Sequence, residues 1–420
     1  MNGVAGLTWF DPGGVERLLT AMAHRGEPRL LPAPSPWCIG VNCGYEQVQA
    51  ERGSALLALV GQIYSVDGEP VPPAQQARTA ARMLAGDGDL ARLDGQFCLA
   101  YRDPDGALCL ARDHPGIMPL FFSLDERGLG FASEYQALET LGYANIEPVV
   151  PGSILRYAAG AISITSLPAD RPAAAGLDLD RTLDAVVGRA VSHGVAPGKV
   201  GLLLSGGVDS ALLAVYARRH VAGLTCLTLD GPDVPVAEEV CAHLRIANHI
   251  VVGALGMLDW AKRYRARPYN QQFESLNRSL YAPSCLLARA AAGRGLAVVL
   301  SADGVDEVFG GYDFECADEA VNSVTRQMID SISLYSLDRL DEACMYQGVQ
   351  PRVPFLSRPV IDHALGLDAA LKKDKRCIRD LAERYLPRRI ARRPKCPMQV
   401  STGSYRTITG RDWINSYVSQ

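Results

Sequence analysis

Residues 200–204, Val-Gly-Leu-Leu-Leu, run straight into Ser205-Gly206-Gly207-Val208-Asp209-Ser210, and a helix-forming stretch, 211–220, follows at once. A short apolar run that meets a Gly-Gly turn and a helix pattern predicts a buried strand handing over to a helix N-terminus. The free backbone N–H groups and the dipole of such a helix both favour an anion in front of it. Gly206 and Gly207 let the backbone approach a phosphate, and the Ser205 and Ser210 hydroxyls can donate to it. The Asp209 carboxylate suits a Mg2+ held against phosphate charge. The turn lacks the Gly-Lys-Ser/Thr ending of a Walker A loop, and its spacing is not G-x-G-x-x-G.

The chain sorts into two halves, with this loop in the second. Residues 1–166 read as short strands between turn residues: 54–64, 97–102, 107–112, 128–132, 153–157 and 161–165. Asp103-Pro104-Asp105-Gly106 marks a hairpin turn, and 14–23 and 73–85 have helical character. The stretch 167–176 carries Pro, Ala, Asp and Gly without periodicity and sets a boundary. Over 177–420 the pattern changes. Helices at 177–192, 211–220, 236–244 and 281–293 alternate with apolar strands at 200–204, 224–229, 250–252 and 297–301, and from 315 onward the pattern is mostly helical. Such alternation predicts a parallel α/β sheet covered on both faces.

Composition removes several classes of function. With a net charge of −4 and no Lys/Arg block, a long nucleic-acid footprint has no support. The apolar run 56–60 is far short of the ~20 residues that span a bilayer, and the first residues lack an export signal, so a cytoplasmic protein is expected. Eleven Cys are scattered without a CxxC pair, which predicts small buried hydrophobes in a reducing compartment and no zinc site.

The Ser-Gly-Gly-x-Asp-Ser loop resembles the PP-motif of the ATP pyrophosphatases, which split ATP into AMP and pyrophosphate. Later segments narrow the resemblance to the asparagine synthetase B family. Leu300-Ser301-Ala302-Asp303-Gly304-Val305-Asp306-Glu307-Val308-Phe309-Gly310-Gly311-Tyr312 resembles its second nucleotide-site motif, and Gly348-Val349-Gln350-Pro351-Arg352-Val353-Pro354-Phe355-Leu356 its helix-and-loop signature. Asp374-Lys375 with Arg379, and Arg393-Pro394-Lys395, resemble its two late basic motifs. At the front, Met1-Asn2-Gly3-Val4-Ala5-Gly6, His24-Arg25-Gly26, Leu93-Asp94-Gly95-Gln96-Phe97 and Arg112-Asp113 with Pro119-Leu120 resemble its glutamine-hydrolysing domain.

This ordered resemblance implies an α/β and α+β chain: an Ntn-hydrolase-like sandwich over 1–166, then an adenine-nucleotide α-hydrolase-like sheet with a helical C-terminal part over 177–420. It implies ATP and Mg2+ as cofactors, adenylation of a carboxylate, and attack of an amine on the acyl-adenylate. On the matching positions, Leu204 and Thr228 would shape the adenine site. Ser205, Gly206, Gly207, Asp209, Ser210, Ser301 and Lys375 would meet the nucleotide, and Asp209 and Asp306 the metal. Lys395 and Asp303 would act in catalysis, Lys395 on the transition state and Asp303 as a base or guide for the amine. Arg352 and Phe355 would hold a loop, or the Arg would line the cleft. Tyr335, Asp338 and Glu274 are candidate substrate contacts.

Three positions depart from the family pattern. Asn2 stands where glutamine-dependent members carry the Cys nucleophile, and an amide cannot replace a thiolate. Val60-Gly61-Gln62 replaces an Asn-Gly-Glu segment, turning an oxyanion donor into an aliphatic chain. The Arg-Leu segment that binds the glutamine carboxylate has no counterpart between Gly26 and Val60. The expectation is a first domain without glutaminase activity. The same loss marks the family's natural-product branch, with its β-lactam and carbapenam synthetases and lasso-peptide cyclases. Asparagine synthetases carry Glu, and β-lactam synthetases Tyr, at the position of Asp303, so ring closure and intermolecular amidation both stay open. The substrate would be a small-molecule or peptide carboxylate, with a partner protein a further candidate for delivering substrate or nitrogen. Ammonia-dependent asparagine synthesis and a non-catalytic scaffold are the alternatives.

Overall fold

The computed structural model describes residues 2–32, 36–43, 48–49, 56–85, 89–167, 178–312 and 318–410. The chain divides into two units, Met1–Arg171 and Pro172–Gln420. Apart from Leu167, the stretch 167–176 lies outside the described residues.

Two antiparallel sheets stack in the first unit. One has the strand order Glu147–Pro148, Phe121–Asp125, Gly128–Ala132, Asn2–Leu7, Cys38–Cys43, Glu27–Leu31. The other runs Ala161–Ser166, Ser153–Ala158, Leu108–Arg112, Leu93–Arg102, Leu56–Val66, Val48–Gln49, with Glu69–Pro70 added beside Leu56–Val66. The two-residue period of a strand sets the layers. Leu56, Ala58 and Val60 pack in one core with Val4, Ile39 and Val41 of the other sheet. Leu57, Leu59 and Ile63 turn the opposite way, towards Ala77 and Ala80 of helix Gln76–Ala85. Helix Pro12–Ala21 buries Val15, Leu18 and Leu19 on the first sheet. The layers are therefore helix, sheet, sheet, helix. Asp103-Pro104-Asp105-Gly106 does close a hairpin between Leu93–Arg102 and Leu108–Arg112.

The His24-Arg25-Gly26 motif has a structural use in this unit. Arg25, 1% exposed, pairs through Nε with Glu134 Oε1, and His24 Nε2 lies 2.6 Å from the same oxygen. Burial opposes the Glu134 charge, but Arg25 and His24 outweigh it and hold the carboxyl at about 2, below its ordinary 4.5. A carboxylate with a depressed folded pKa stabilises fully above the unfolded value and loses that contribution as pH falls through the folded one. Between pH 4.5 and 2 the unit should therefore lose on the order of 3 kcal/mol that a Glu134→Gln variant never had. Acid unfolding followed by circular dichroism checks this: parallel acid profiles for the two proteins would refute it.

The second unit carries a five-stranded, fully parallel sheet in the order Asn248–Val252, Thr225–Leu229, Val200–Leu203, Val298–Leu300, Gln350–Arg352. Successive residues of the central strands are buried, as in a sheet covered on both faces. In chain order the strands run 3-2-1-4-5. The order reverses between Val200–Leu203 and Val298–Leu300. Beyond the carboxyl ends of strands at such a reversal, diverging loops leave a crevice, the usual ligand site of an open α/β sheet.

Several elements differ from the sequence reading. Strands Asn2–Leu7, Glu27–Leu31, Cys38–Cys43, Phe121–Asp125 and Gln350–Arg352 were not expected. Helix Glu274–Gly293 begins before 281 and carries Pro283 within it. Cys38, Cys98, Cys109, Cys226, Cys241, Cys285 and Cys344 are buried, Cys377 is half-buried, and Cys396 is exposed. Among the described residues, no helix is long and apolar enough to cross a membrane.

Candidate active site

The loops after strands Val200–Leu203 and Val298–Leu300 face the crevice. Helix Val208–His220 starts directly after Gly207, so its first N–H groups lie at the end of the loop. Gly206 has φ +71°, and a Cβ there would sit 3.1 Å from Asp233 O and 3.2 Å from the Arg393 guanidinium. Only glycine fits this turn without strain. The Ser205 and Ser210 hydroxyls lie 3.0 Å apart, and Ser210 Oγ accepts from Ser205 N at 3.1 Å. Arg393 ties the loop down, donating to Gly206 O at 3.0 Å and to Asp233 Oδ1 at 2.6 Å. The sequence reading gave Arg393 no role of its own. Thr228, 2% exposed, donates to Leu204 O at 2.7 Å and meets His249 Nε2 at 2.8 Å, so its hydroxyl locks neighbouring strand ends. Leu204 is buried beside it.

One ammonium joins the two loops. Lys375 Nζ lies 2.6 Å from Asp209 Oδ2 and 2.8 Å from Asp306 Oδ1, and the side chain is 2% exposed. Lys395 Nζ stands 3.1 Å from Asp306 Oδ2, 3.2 Å from Gly311 O and 3.8 Å from the centre of the Tyr312 ring. Two carboxylates and two ammonium groups thus offset one another in a partly desolvated site, where an unpaired charge is costly. Burial raises the Asp209 carboxyl, offset in part by Lys375 and reinforced by the Asp306 charge. Burial acts on Asp306 in the same sense, but Lys375 and Lys395 together bring it below the ordinary carboxylate range.

These residues fit a hard divalent cation. Asp209 Oδ1 and Asp306 Oδ1 are buried and have no hydrogen-bond partner among the described residues, although Lys375 stands 2.8 Å from the latter as an ion pair, so carboxylate oxygens remain for a ligand. Among the described residues, no group of three or more His, Cys, Asp or Glu forms a protein cage. Mg2+ is commonly held by one or two carboxylates, with phosphates and water completing its shell. Asp209 and Asp306 supply that number.

Gly311 makes room for Asp306. A Cβ on Gly311 would stand 1.9 Å from Asp306 Oδ1. Gly311→Ala should therefore push the carboxylate off Lys375 and cut ATP–pyrophosphate exchange by about 100-fold, the scale of a 1 Å misplacement. An exchange rate within twofold of the parent would show that the carboxylate's position is not required.

Asp303 is held by hydroxyl donors on both carboxylate oxygens. The Ser301 hydroxyl donates to Asp303 Oδ2, and Ser336 Oγ donates to Oδ1 at 2.7 Å. Arg339, 4% exposed, lies 3.7 Å from Oδ1 and donates to Ser284 Oγ at 3.0 Å. With both oxygens engaged, the geometry favours Asp303 as an anchor between the strand end and helix Asp338–Met345. Ser336 and Arg339 were absent from the sequence reading. Ser301 is buried, its N–H donating to Arg352 O at 2.9 Å and its hydroxyl turned to Asp303.

Among the remaining candidates, Tyr335 lies beside Glu307, next to Asp306. Arg352 is 1% exposed and donates to Ala190 O at 2.6 Å and His193 O at 2.9 Å, capping helix Leu179–Ser192. Of the two roles open to it, holding local backbone or lining the cleft, these contacts are of the first kind. Phe355 is fully buried. Asp338 accepts from Tyr269 Oη at 3.2 Å, Tyr335 packs on Phe273 with ring centres 5.4 Å apart, and Glu274 pairs with Arg278. Glu307, another residue the sequence reading left unassigned, is buried and accepts from Tyr312 Oη at 2.8 Å. In the first unit, Val60 is 1% exposed in the apolar core and Gly61 has φ +92°. The side chain of Asn2 lies outside the described residues.

The family model described as asparagine synthase matches residues 182–327 and 315–420, and that described as a glutamine amidotransferase domain matches 65–140. The glutamine-hydrolysing asparagine synthetase B of Escherichia coli (strain K12) is 27% identical over 422 residues, covering 90% of this chain and 74% of its own length. A probable asparagine synthetase of Acanthamoeba polyphaga mimivirus is 27% identical over 360 residues, covering 74% of this chain and 64% of its own length. An asparagine synthetase of Asparagus officinalis is 27% identical over 376 residues, covering 79% of this chain and 60% of its own length. The chain thus spans between 60% and 74% of the length of these relatives.

Proposed function

We propose, from the premise that this chain belongs to the asparagine synthase family, that it is an ATP-dependent carbon–nitrogen ligase. It adenylates a substrate carboxylate, releases pyrophosphate and passes the acyl group to an amine that its own first unit does not supply. One observation carries the reading: Asp209 and Asp306, in the first helical turns after the strands that flank the order reversal, share Lys375, while Asp209 Oδ1 has no hydrogen-bond partner among the described residues.

Asp209 and Asp306 would hold Mg2+, whose charge would offset that of the phosphates. The N–H groups at the start of helix Val208–His220 would receive phosphate oxygens, with Ser205 beside them. Lys375 would pair with the departing pyrophosphate. Lys395, held over Tyr312 and beside Asp306, would meet the charge that develops when the amine attacks the acyl-adenylate. Leu204 and Thr228 would border the adenine. Asp303 would orient this crevice through Ser301 and Ser336, with direct proton removal as the second role to test.

A nitrogen source outside the first unit follows from its residues. Position 2 is Asn and offers no thiolate, and Val60 points into an apolar core. Incubation with glutamine and ATP should yield no glutamate above a buffer control. Asn2→Cys alone should not restore it, because an oxyanion donor and a carboxylate clamp are still lacking. Measurable turnover by either protein would refute this part of the reading. A small-molecule or peptide carboxylate in natural-product biosynthesis suits a ligase with that loss, and a partner protein could bring substrate or amine.

Exchange of labelled pyrophosphate into ATP, run across panels of free and N-substituted amino acids and peptides, tests the ligase reading. Exchange that depends on one carboxylate and on Mg2+ supports it. Carboxylate-dependent formation of ADP refutes it. Asparagine formed from aspartate and ammonium would instead favour the ammonia-dependent synthetase. A protein that binds no nucleotide would favour the scaffold.

A further inference from the structure

We propose that Lys375 is the resident counter-cation of the Asp209–Asp306 pair, so that a divalent ion reaches these carboxylates only with a nucleotide whose phosphates draw the ammonium away. This rests on the nucleotide and metal reading above and adds to it an order of binding. Lys375 Nζ donates to Asp209 Oδ2 at 2.6 Å and forms an ion pair with Asp306 Oδ1 at 2.8 Å, and Lys395 stands 3.1 Å from the second oxygen of Asp306. A Mg2+ needs carboxylate oxygens at about 2.0–2.1 Å. Asp209 Oδ1 is open to it, but both oxygens of Asp306 face an ammonium, so an ion shared by the two carboxylates would stand within a few ångströms of Lys375, and like charges so close in a poorly solvated site repel one another strongly. A free ion would have to displace a charge-assisted hydrogen bond and an ion pair and leave Lys375 buried without an anion. A metal–nucleotide complex brings the replacement anion with it.

The backbone offers a means of release. Asp374 and Lys375 both have φ 54°, two successive non-glycine residues in the left-handed region. Such a turn is strained and persists only where its surroundings over-determine it. Two sets of contacts do so. One is the pair of carboxylates on Lys375. The other is Arg379, 4% exposed, which donates to Asp374 O at 2.8 Å, lies 3.1 Å from Asp374 Oδ1, and donates to Arg393 O at 2.8 Å. Arg393 in turn holds Gly206 of the phosphate loop. Transfer of the ammonium from carboxylate to phosphate removes the first set and lets the turn relax towards the nucleotide. By linkage, whatever the nucleotide does for metal affinity the metal does for nucleotide affinity.

Mn2+ is the probe, and the water-proton relaxation rate reports the ion carried by the full-length protein. Nucleotide-free wild-type protein should bind Mn2+ at least about tenfold more weakly than protein with α,β-methylene-ATP present. Lys375→Met, and equally Lys375→Gln, should bind Mn2+ without nucleotide at least about tenfold more tightly than wild type. Adding Asp306→Asn to either variant should erase the gain. Tight Mn2+ binding to nucleotide-free wild-type protein that Asp306→Asn removes overturns the proposal without any Lys375 variant having to fold. So does a folded Lys375 variant that binds the ion no better than wild type. If α,β-methylene-ATP recruits no Mn2+ to wild-type protein, the nucleotide reading of the site fails and this proposal fails with it. If it does recruit the ion and the Lys375 variants gain nothing, only the counter-cation role is lost.

Discussion

Asp306→Ala and Asp209→Ala should each reduce carboxylate-dependent ATP cleavage by about three orders of magnitude or more, the largest effects expected for this protein. Each removes half of the proposed metal site, and the charge-stabilising power of a fixed cation on phosphoryl oxygens is worth several kcal/mol. Each also strands part of a balanced cluster. Without Asp306, Lys395 loses its ion pair and Lys375 retains only Asp209. Without Asp209, Lys375 still has Asp306. A loss of stability should therefore accompany both variants and be larger for Asp306→Ala, since breaking buried pairs leaves charge uncompensated. Pyrophosphate release reads the first effect and thermal unfolding the second. Parent-like release in either folded variant removes that carboxylate from the metal site.

Lys395→Ala should slow product formation by about two to three orders of magnitude, the scale of losing one preorganised donor to a developing oxyanion. Its effect should fall after adenylation. Charge grows on the tetrahedral oxygen and the departing AMP only once the amine attacks, and only stabilisation that strengthens in the transition state raises turnover. Lys395 is suited to that task because its ammonium is held on three sides, by Asp306, Gly311 O and the Tyr312 ring. ATP–pyrophosphate exchange should change much less than single-turnover amide formation. If Lys395→Ala forms product at the parent rate and fails only in nucleotide binding, Lys395 is a phosphate anchor. Asp303→Asn separates the two roles left to that residue. A base would show a defect that eases as pH rises and the amine deprotonates unaided, whereas an anchor would show a defect independent of pH.

Local chemistry decides what could be read before the fold was known. The loop 205–210 is legible because strand, Gly-Gly turn and helix start are contiguous, and the turn's φ, dipole and hydroxyls all follow from neighbouring residues. Asp306, Lys375 and Lys395 come from scattered motifs. The resemblance named them, but their meeting on shared oxygens is a product of sheet order, which no local pattern contains. Gln350–Arg352 has only three residues, one of them Pro, and exists as a strand because Val298–Leu300 pairs with it. Asn2–Leu7 is rich in Gly and Ala, which are weak strand formers, and is fixed by partners on both sides. Arg339 and Ser336 reach Asp303 from more than thirty residues away in sequence. In sequence Arg339 is one charge among Asp338, Asp341 and Glu342 of its own helix, and nothing local sets it apart. For Arg352 the motif left loop-holding and cleft-lining both open, and only the fold shows the guanidinium on the carbonyls of a helix end 159 and 162 residues away in sequence.

The adenylate itself is the central claim, and an isotope can follow it. A carboxylate that supports pyrophosphate exchange is labelled with 18O in both oxygens and converted with ATP, Mg2+ and an amine. If a carboxylate oxygen attacks the α-phosphate, the amide keeps one label and the other leaves in the phosphate of AMP. The account predicts AMP heavier by one 18O, and none in pyrophosphate. Label in inorganic phosphate, with ADP as the nucleotide product, would mean attack on the γ-phosphate and would contradict it.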